Sequence, residues 1–146
     1  RVVLITSLVQ RFAHLNLNDL QMRRRYSGLA QYARTKRCNV LYALEFNRRY
    51  CDTSVRAFVF DPGVVKTGIG LCGMSGLWKA ACRFVIERGS QVGKAAESIC
   101  DLVDSPDVTK KCAFYWRGAL PEKSKLFARQ QKAASRLWQL SEKLQI

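Results

Sequence analysis

The stretch VRAFVFDPG, residues 55–63, predicts a buried β-strand that stops at a tight turn. Residues 55–60 favour an extended strand, and Pro62-Gly63 is a strong turn signal. Toward the N-terminus, residues 2–6 form a largely β-branched run, which is typical of a parallel strand buried on both faces. Residues 29–50 contain neither glycine nor proline and predict a helix. This order indicates a parallel crossover and an α/β layered fold.

Alternating elements continue downstream. Residues 77–87 and 90–103 predict two helices, the second with Ser90 as its N-cap and a stop at Ser105-Pro106. Residues 112–116 predict a third strand. A long terminal helix is predicted to open at Pro121, and its apolar residues recur at helical spacing: Leu126, Ala133, Leu137, Leu140 and Leu144. The length of 146 residues fits one domain with a single core.

The chain is strongly basic, with 25 Lys and Arg against 11 Asp and Glu, a net charge of +14. Such a field attracts phosphate groups, whether of nucleic acid, anionic lipid or a dinucleotide. The basic residues are dispersed, however, and the densest cluster is only residues 23–25. We therefore favour a solvated or partner-facing surface, then attraction of a cofactor or membrane, and we rank nucleic acid last.

The cysteine pattern argues against a metal site. None of the six cysteines forms a C-x-x-C pair, and His14 is the only histidine. No spacing signature pairs His14 with a thiol nucleophile. Scattered cysteines of this kind are typical of reduced, buried thiols in an intracellular protein. The longest uncharged run, residues 67–78, has 12 residues and is too short to span a bilayer.

Three residues carry chemistry that could converge. Tyr32 and Lys36 are four residues apart, which places them one turn apart on one helix face. A free phenol ionises only near pH ~10, and a nearby ammonium favours its phenolate. The spacing alone is commonplace in helices. Ser7, however, ends the first strand, at the edge where open α/β sheets bind ligands. Together these groups would polarise a carbonyl and donate a proton.

With these residues the sequence resembles the short-chain dehydrogenases/reductases, particularly the retinol-dehydrogenase-like subgroup. Four stretches carry the resemblance in the family's order: RVVLITSLV (1–9), YARTKRCNVLYALEFNRR (32–49), VRAFVFDPGVVKTGI (55–69) and ASRLWQLSEKL (134–144). The 25 residues from Ser7 to Tyr32 match the long interval of this subgroup. The resemblance implies a Rossmann-like, doubly wound parallel sheet, of which residues 1–146 would be the C-terminal catalytic portion.

The resemblance also implies roles for individual residues. Ser7 would orient the substrate carbonyl or alcohol, Tyr32 would donate or accept the proton, and Lys36 would bind the nicotinamide ribose and stabilise the phenolate. The turn after the second strand would bind the nicotinamide end of the cofactor, through Pro62, Gly63, Val65 and Thr67. The implied activity is NAD(P)-dependent interconversion of a lipophilic alcohol and its carbonyl form. The positive charge slightly favours NADP over NAD.

The resemblance has departures and gaps. The family's S-K-L-A-N is Thr35-Lys36-Arg37-Cys38-Asn39 here, so Arg37 replaces an apolar residue. We expect the glycine-rich phosphate loop to lie upstream of Arg1, in a longer natural chain. The resemblance leaves open whether the protein forms a homodimer and whether the upstream segment carries a membrane anchor. The expected location is the cytoplasm or the periphery of an internal membrane. The alternative is a non-catalytic basic interaction module that retains the fold.

Two further motifs are weaker. Residues 68–73 match G-x-G-x-x-G, but the predicted strand ends near Phe60, eight residues before the motif. We interpret this stretch as part of a substrate lid, with apolar residues that would line a pocket or a core: Ile69, Leu71, Met74, Leu77 and Trp78. The aromatic and basic residues 114–117 could stack on bases. A buried strand explains them better, and no nucleic-acid partner is expected.

Overall fold

Alternating strands and helices build the chain, as the sequence predicts. The computed structural model describes residues 1–67, 75–106, 108, 114–122 and 130–144. In chain order the elements are β1 (Val2–Ile5), a 3₁₀ helix (Leu8–Phe12), α1 (Gly28–Arg49), β2 (Ala57–Asp61), α2 (Gly76–Glu87), α3 (Val92–Asp104), β3 (Tyr115–Arg117), β4 (Leu120–Glu122) and α4 (Gln131–Lys143).

Within the described residues, four strands form one sheet in the order β1-β2-β3-β4. β1 pairs with β2 and β2 with β3 in parallel, with Ile5 opposite Phe60 and Phe60 opposite Trp116. β4 runs antiparallel to β3, which makes the sheet mixed, a common variation on parallel α/β sheets. The predicted α/β, Rossmann-like class is therefore confirmed, with one antiparallel strand in addition.

Alternate side chains of β2 point to opposite faces of the sheet, and a helix packs on each face. Val59 of β2 packs on Val40 and Ala43 of α1. Phe60 packs toward Leu102 of α3 on the opposite face. The predicted inner face of the long helix is thus confirmed at Val40 and Ala43. α1 packs with this face on the sheet.

The helix predicted to open at Pro121 is wrong at its start. Gly118 has a φ of +53°, so the chain turns back after β3 and Pro121 pairs opposite Trp116. Proline is compatible with an outer strand because it has no N–H to donate to a neighbour. α4 begins at Gln131 instead and buries Leu137, whereas Leu126 lies outside the described residues.

Ser90 does not cap α3 as predicted. The N-cap is Gln91, and Ser90 forms a parallel bridge with Val65 in the turn after β2. β1 is also only partly buried, with Ile5 46% exposed, and within the described residues it is an edge strand of the sheet. The predicted burial on both faces is wrong for this strand.

The described cysteines are free thiols, but they are less buried than predicted. Cys38 and Cys82 are partly buried, whereas Cys51 and Cys100 are exposed. Burial raises the pKa of the Cys38 thiol, so it stays protonated. The glycine-rich motif at 68–73 and the residues Ile69, Leu71, Met74, Cys72 and Cys112 lie outside the described part of the chain, as does the side chain of Trp78.

Candidate active site

Tyr32 and Lys36 lie one turn apart on α1, where Tyr32 is exposed and Lys36 is partly buried. The Lys36 ammonium nitrogen lies 5.5 Å from the centroid of the Tyr32 ring, within the range of a cation–π interaction. Tyr32 is 47% exposed, so a ligand can reach the residue from solvent. The predicted one-face arrangement of the two side chains is thus present.

Hydrogen bonds tie this part of α1 to the end of β1. The carbonyl oxygen of Ile5 accepts bonds from Lys36 Nζ at 3.3 Å and from Asn39 Nδ2 at 2.9 Å. The buried hydroxyl of Thr6 donates to the carbonyl oxygen of Lys36 at 2.9 Å. Three bonds therefore fix the Tyr32-Lys36 turn of the helix against the last residues of the strand.

Ser7 follows these anchors immediately. It is partly buried, has an extended backbone, and its hydroxyl makes no capping hydrogen bond to the 3₁₀ helix that it precedes. Its carbonyl oxygen accepts the N–H of Gln10 at 3.0 Å. The backbone of Ser7 is thus held at the carboxyl end of β1, on the same strand end that anchors Lys36.

The turn after β2 lies beside this strand end. The N–H of Thr6 donates to the carbonyl oxygen of Phe60 at 2.8 Å, so β1 and β2 end side by side. Pro62 and Gly63 follow, and Gly63 has a φ of +70°, the left-handed region that glycine enters without a steric penalty. The predicted tight turn is confirmed, and it is adjacent to the Ser7 end of β1.

The far side of the same turn is fixed by backbone bonds. Ser90 N–H donates to the carbonyl oxygen of Val64, and Lys66 N–H donates to that of Ser90, both at 2.9 Å. Val65 is partly buried in the bridge to Ser90, and Thr67 is partly buried at its end. The predicted cofactor-binding residues thus lie on one turn that is held at both sides.

A buried polar network lies beneath the turn, and the sequence reasoning missed it. The Tyr115 hydroxyl donates to Asp61 Oδ2 at 3.1 Å, and both side chains are fully buried. Burial, then the charge of Asp61, raises the pKa of Tyr115 to about 12, so the phenol stays protonated. Asp61 lies in the stretch 55–63, but its partner Tyr115 is 54 residues away, and no local sequence signal links the two.

A second missed feature is a partly buried cation beside this network. Arg37 Nη1 donates to Oε1 of the fully buried Gln10 at 2.7 Å, so the charged residue that departs from the S-K-L-A-N pattern has a buried partner. Burial lowers the pKa of Arg37, although an arginine keeps its charge at physiological pH. Arg37 therefore joins α1 to the 3₁₀ helix next to Ser7.

A cavity of about 440 Å³ adjoins the site on the neighbouring stripe of α1. Asn39 borders it together with Leu4, Thr35 and Leu137, whereas Ser7, Tyr32 and Lys36 do not. Gln31 also lines it, and Gln31 Oε1 is buried without a hydrogen-bond partner among the described residues. The cavity thus shares Asn39 with the site but contains none of the three predicted reactive groups.

None of the helices in the ranges given above is long and apolar enough to cross a membrane. The same residues contain no group of three or more side chains that could hold a metal ion.

Fold and site define a class: an α/β chain whose first two parallel strands end beside a helix that bears tyrosine and lysine four residues apart. No family model matches the chain. It is 33% identical to mouse retinol dehydrogenase 14 over 70 residues, which cover 48% of this chain and 21% of that protein. It is 29% identical to human retinol dehydrogenase 12 over 151 residues, 97% of this chain and 44% of that one.

Human polyprenol dehydrogenase is 39% identical over 71 residues, 47% of this chain and 22% of that protein. The chain thus spans less than half the length of these relatives. The crystal structure of an uncharacterised protein from Mycobacterium paratuberculosis shares the fold, with a TM-score of 0.60, 24% identity, and coverage of 99% of this chain and 49% of that one. The predicted resemblance to short-chain dehydrogenases/reductases of the retinol-dehydrogenase-like subgroup is confirmed.

Proposed function

We propose that the protein carrying this chain is a NAD(P)-dependent oxidoreductase that interconverts an alcohol and a carbonyl, with Tyr32 as proton donor or acceptor. The observation that carries the proposal is the pairing of the exposed Tyr32 with Lys36, whose ammonium lies 5.5 Å from the ring centroid and is bonded to the end of β1. The names retinol dehydrogenase and polyprenol dehydrogenase support a lipophilic alcohol as the substrate class.

We assign the nicotinamide end of the dinucleotide to the turn after β2. A Cβ placed on Gly63 would meet no heavy atom within 4 Å, so the backbone there is open to a flat ring. The rest of the turn is held by the Val64 and Lys66 bonds to Ser90. Val65 and Thr67 would hold the carboxamide and neighbouring phosphate, and Lys36 the ribose hydroxyls. The bound nicotinamide would supply or accept the hydride.

The remaining steps belong to side chains of this chain. The Ser7 hydroxyl would donate to the carbonyl oxygen of the substrate and fix its orientation. The Tyr32 hydroxyl would give its proton to that oxygen during reduction and take it back during oxidation. Lys36 would stabilise the phenolate, since a nearby ammonium favours a negative oxygen. Ser7 after β1 would thus act with Tyr32 and Lys36 of α1 on one substrate oxygen.

The net charge of the chain bears on which dinucleotide is bound. The net charge of +14 favours the additional phosphate of NADP over NAD. We further propose a homodimer, and a location in the cytoplasm or at the periphery of an internal membrane.

The test is the Tyr32→Phe variant of the complete protein that contains this chain. It removes the reacting oxygen and keeps the ring, so turnover of a lipophilic alcohol should fall at least about 1,000-fold while NADPH affinity stays within about twofold. Tyr26→Phe is the control, because Tyr26 is an exposed phenol outside the site. Retained turnover in Tyr32→Phe would refute the mechanism. A wild type that binds no dinucleotide would favour the interaction module.

A further inference from the structure

Asp61 places a fully buried carboxylate at the end of β2, directly before the proposed nicotinamide turn. One of its oxygens, Oδ1, accepts the N–H of Gly63 at 2.9 Å. The other, Oδ2, accepts the Tyr115 hydroxyl at 3.1 Å and lies 3.6 Å from Arg117 Nε. Both oxygens are thus used, one on the turn and one on the neighbouring strand.

The backbone reinforces this arrangement. The carbonyl oxygen of Asp61 accepts the N–H of Gly118 at 3.0 Å, so the same residue joins β2 to the turn that follows β3. A buried carboxylate is costly unless hydrogen bonds and a counter-charge compensate it. Here Tyr115 and Arg117 provide that compensation from β3. The carboxylate orientation, and with it the Gly63 N–H, is therefore set by β3 rather than by the turn itself.

We propose that Asp61 and Tyr115 are positioning residues that hold the Gly63 end of the turn in the shape that receives the nicotinamide. The inference rests on the proposed function, because it assigns a purpose to the shape of the turn. The far side of the turn is bonded to Ser90 and does not depend on Asp61. Loss of the Asp61 contacts should therefore release one side of the turn without detaching the other.

The first measurement needs no catalysis. Hydrogen exchange of the Gly63 amide in the unliganded protein should accelerate at least about tenfold in Asp61→Ala, which removes the acceptor. Asp61→Asn keeps an oxygen for the Gly63 N–H and should restore most of the protection. Tyr115→Phe, which removes only a hydroxyl, should give an intermediate acceleration, since Oδ2 then loses one of its two partners. Unchanged exchange in both Asp61→Ala and Tyr115→Phe would overturn the proposal.

The second measurement connects the turn to the cofactor. In the complete enzyme, Tyr115→Phe should raise the KM for the dinucleotide about 5- to 20-fold and change kcat less than threefold. Tyr42→Phe is the matched control, because the Tyr42 ring stacks on Trp138 away from the turn, at a centroid distance of 4.7 Å. Equal losses of kcat and affinity in both variants would indicate a purely structural role and overturn the proposal.

The two proposals can fail separately. If Tyr115→Phe binds the dinucleotide as the wild type does while Tyr32→Phe is inactive, the positioning role is wrong and the proposed function stands. If the Gly63 amide responds as expected but the wild type binds no dinucleotide, the turn is held as described and the proposed function fails. Should Asp61→Ala not fold, Tyr115→Phe still tests the proposal, because it keeps the buried ring.

Discussion

A Cβ atom on Gly89 would lie 2.5 Å from the carbonyl oxygen of Val64, closer than side-chain carbons approach such atoms. The contact follows from the bridge between Val65 and Ser90, which draws the segment before α3 against the turn after β2. A glycine at this position thus lets two backbones meet. This contact joins the segment before α3 to the proposed cofactor turn. It can be tested by adding a methyl group at Gly89.

Gly89→Ala should displace the turn. Because the obstacle is backbone at 2.5 and 2.9 Å rather than a flexible side chain, we expect a loss of about 1–3 kcal/mol in the free energy of unfolding and weaker dinucleotide binding. Gly93→Ala is the control, since a Cβ there meets nothing within 4 Å and Gly93 lies inside α3. It should be neutral or stabilising. Equal urea midpoints for wild type and Gly89→Ala would contradict the expectation.

Gly63→Ala tests the shape of the turn by a different route. The site has room for a Cβ, but the φ of +70° strains any L-residue, so the cost should be about 1–2 kcal/mol. Gly63→Asn should cost less, because asparagine enters the left-handed region more readily than alanine. Urea denaturation of the three proteins measures the order. Alanine as stable as asparagine at this position would show that backbone strain does not govern the turn.

Thr6→Val tests the attachment to β1 of α1, the helix that carries Tyr32 and Lys36. Valine keeps the shape of Thr6 but leaves the carbonyl oxygen of Lys36 without its 2.9 Å donor. We expect a loss of about 1–2 kcal/mol in stability and a several-fold fall in turnover, because the Tyr32-Lys36 turn loses one of its three anchors. Thr53→Val is the comparison, since Thr53 is exposed and bonds only within the loop after α1. Equal effects of the two variants would argue against a specific anchoring role.

Local patterns predicted the elements that position the site. Residues 29–50 and 55–60 were predictable because helix and strand preferences are continuous there, and the observed elements are Gly28–Arg49 and Ala57–Asp61. Pro62-Gly63 was predictable because the turn chemistry is local. The placement of Tyr32 and Lys36 on one face follows from the period of the helix alone.

Long-range pairing accounts for what the sequence did not predict. Ser90 resembles an N-cap in isolation, yet its backbone bonds to Val64 and Lys66, more than 20 residues away. Pro121 resembles a helix start, but the left-handed Gly118 turns the chain into a hairpin first. The partner of Asp61 is chosen by sheet register, which no window of sequence contains. Errors therefore fall where tertiary pairing overrides local preference.

Glu45 links α1 to α4, and acid should weaken this link. Its carboxylate is fully buried and accepts bonds from Arg48, Arg49, Gln131 and Ser135, the last two from α4. The hydrogen bond from Arg48 lowers the pKa of Glu45 most. Burial opposes this effect, the bonds from Arg49 and Ser135 add to it, and the pKa falls from 4.5 to about 2.

Because the pKa of Glu45 is lowered in the folded protein, the stability that Glu45 contributes decreases in acid. A carboxylate with a lowered folded-state pKa contributes stability that is fully present above about pH 4.5 and is lost as the pH falls toward about 2. Glu45→Gln removes this contribution, and it should cost about 1–3 kcal/mol at pH 7 because buried donors lose their charged acceptor. The variant should also show a shallower loss of stability between about pH 4.5 and 2.5 than the wild type.

Urea denaturation across this pH range measures both effects, and Glu97→Gln serves as the control because Glu97 is exposed on α3. The control should keep the wild-type slope and lose less than about 0.5 kcal/mol at pH 7. Parallel pH profiles for wild type and Glu45→Gln would show that Glu45 does not supply the acid sensitivity. A steeper wild-type profile would establish that a buried charge on α1 holds α4 in place.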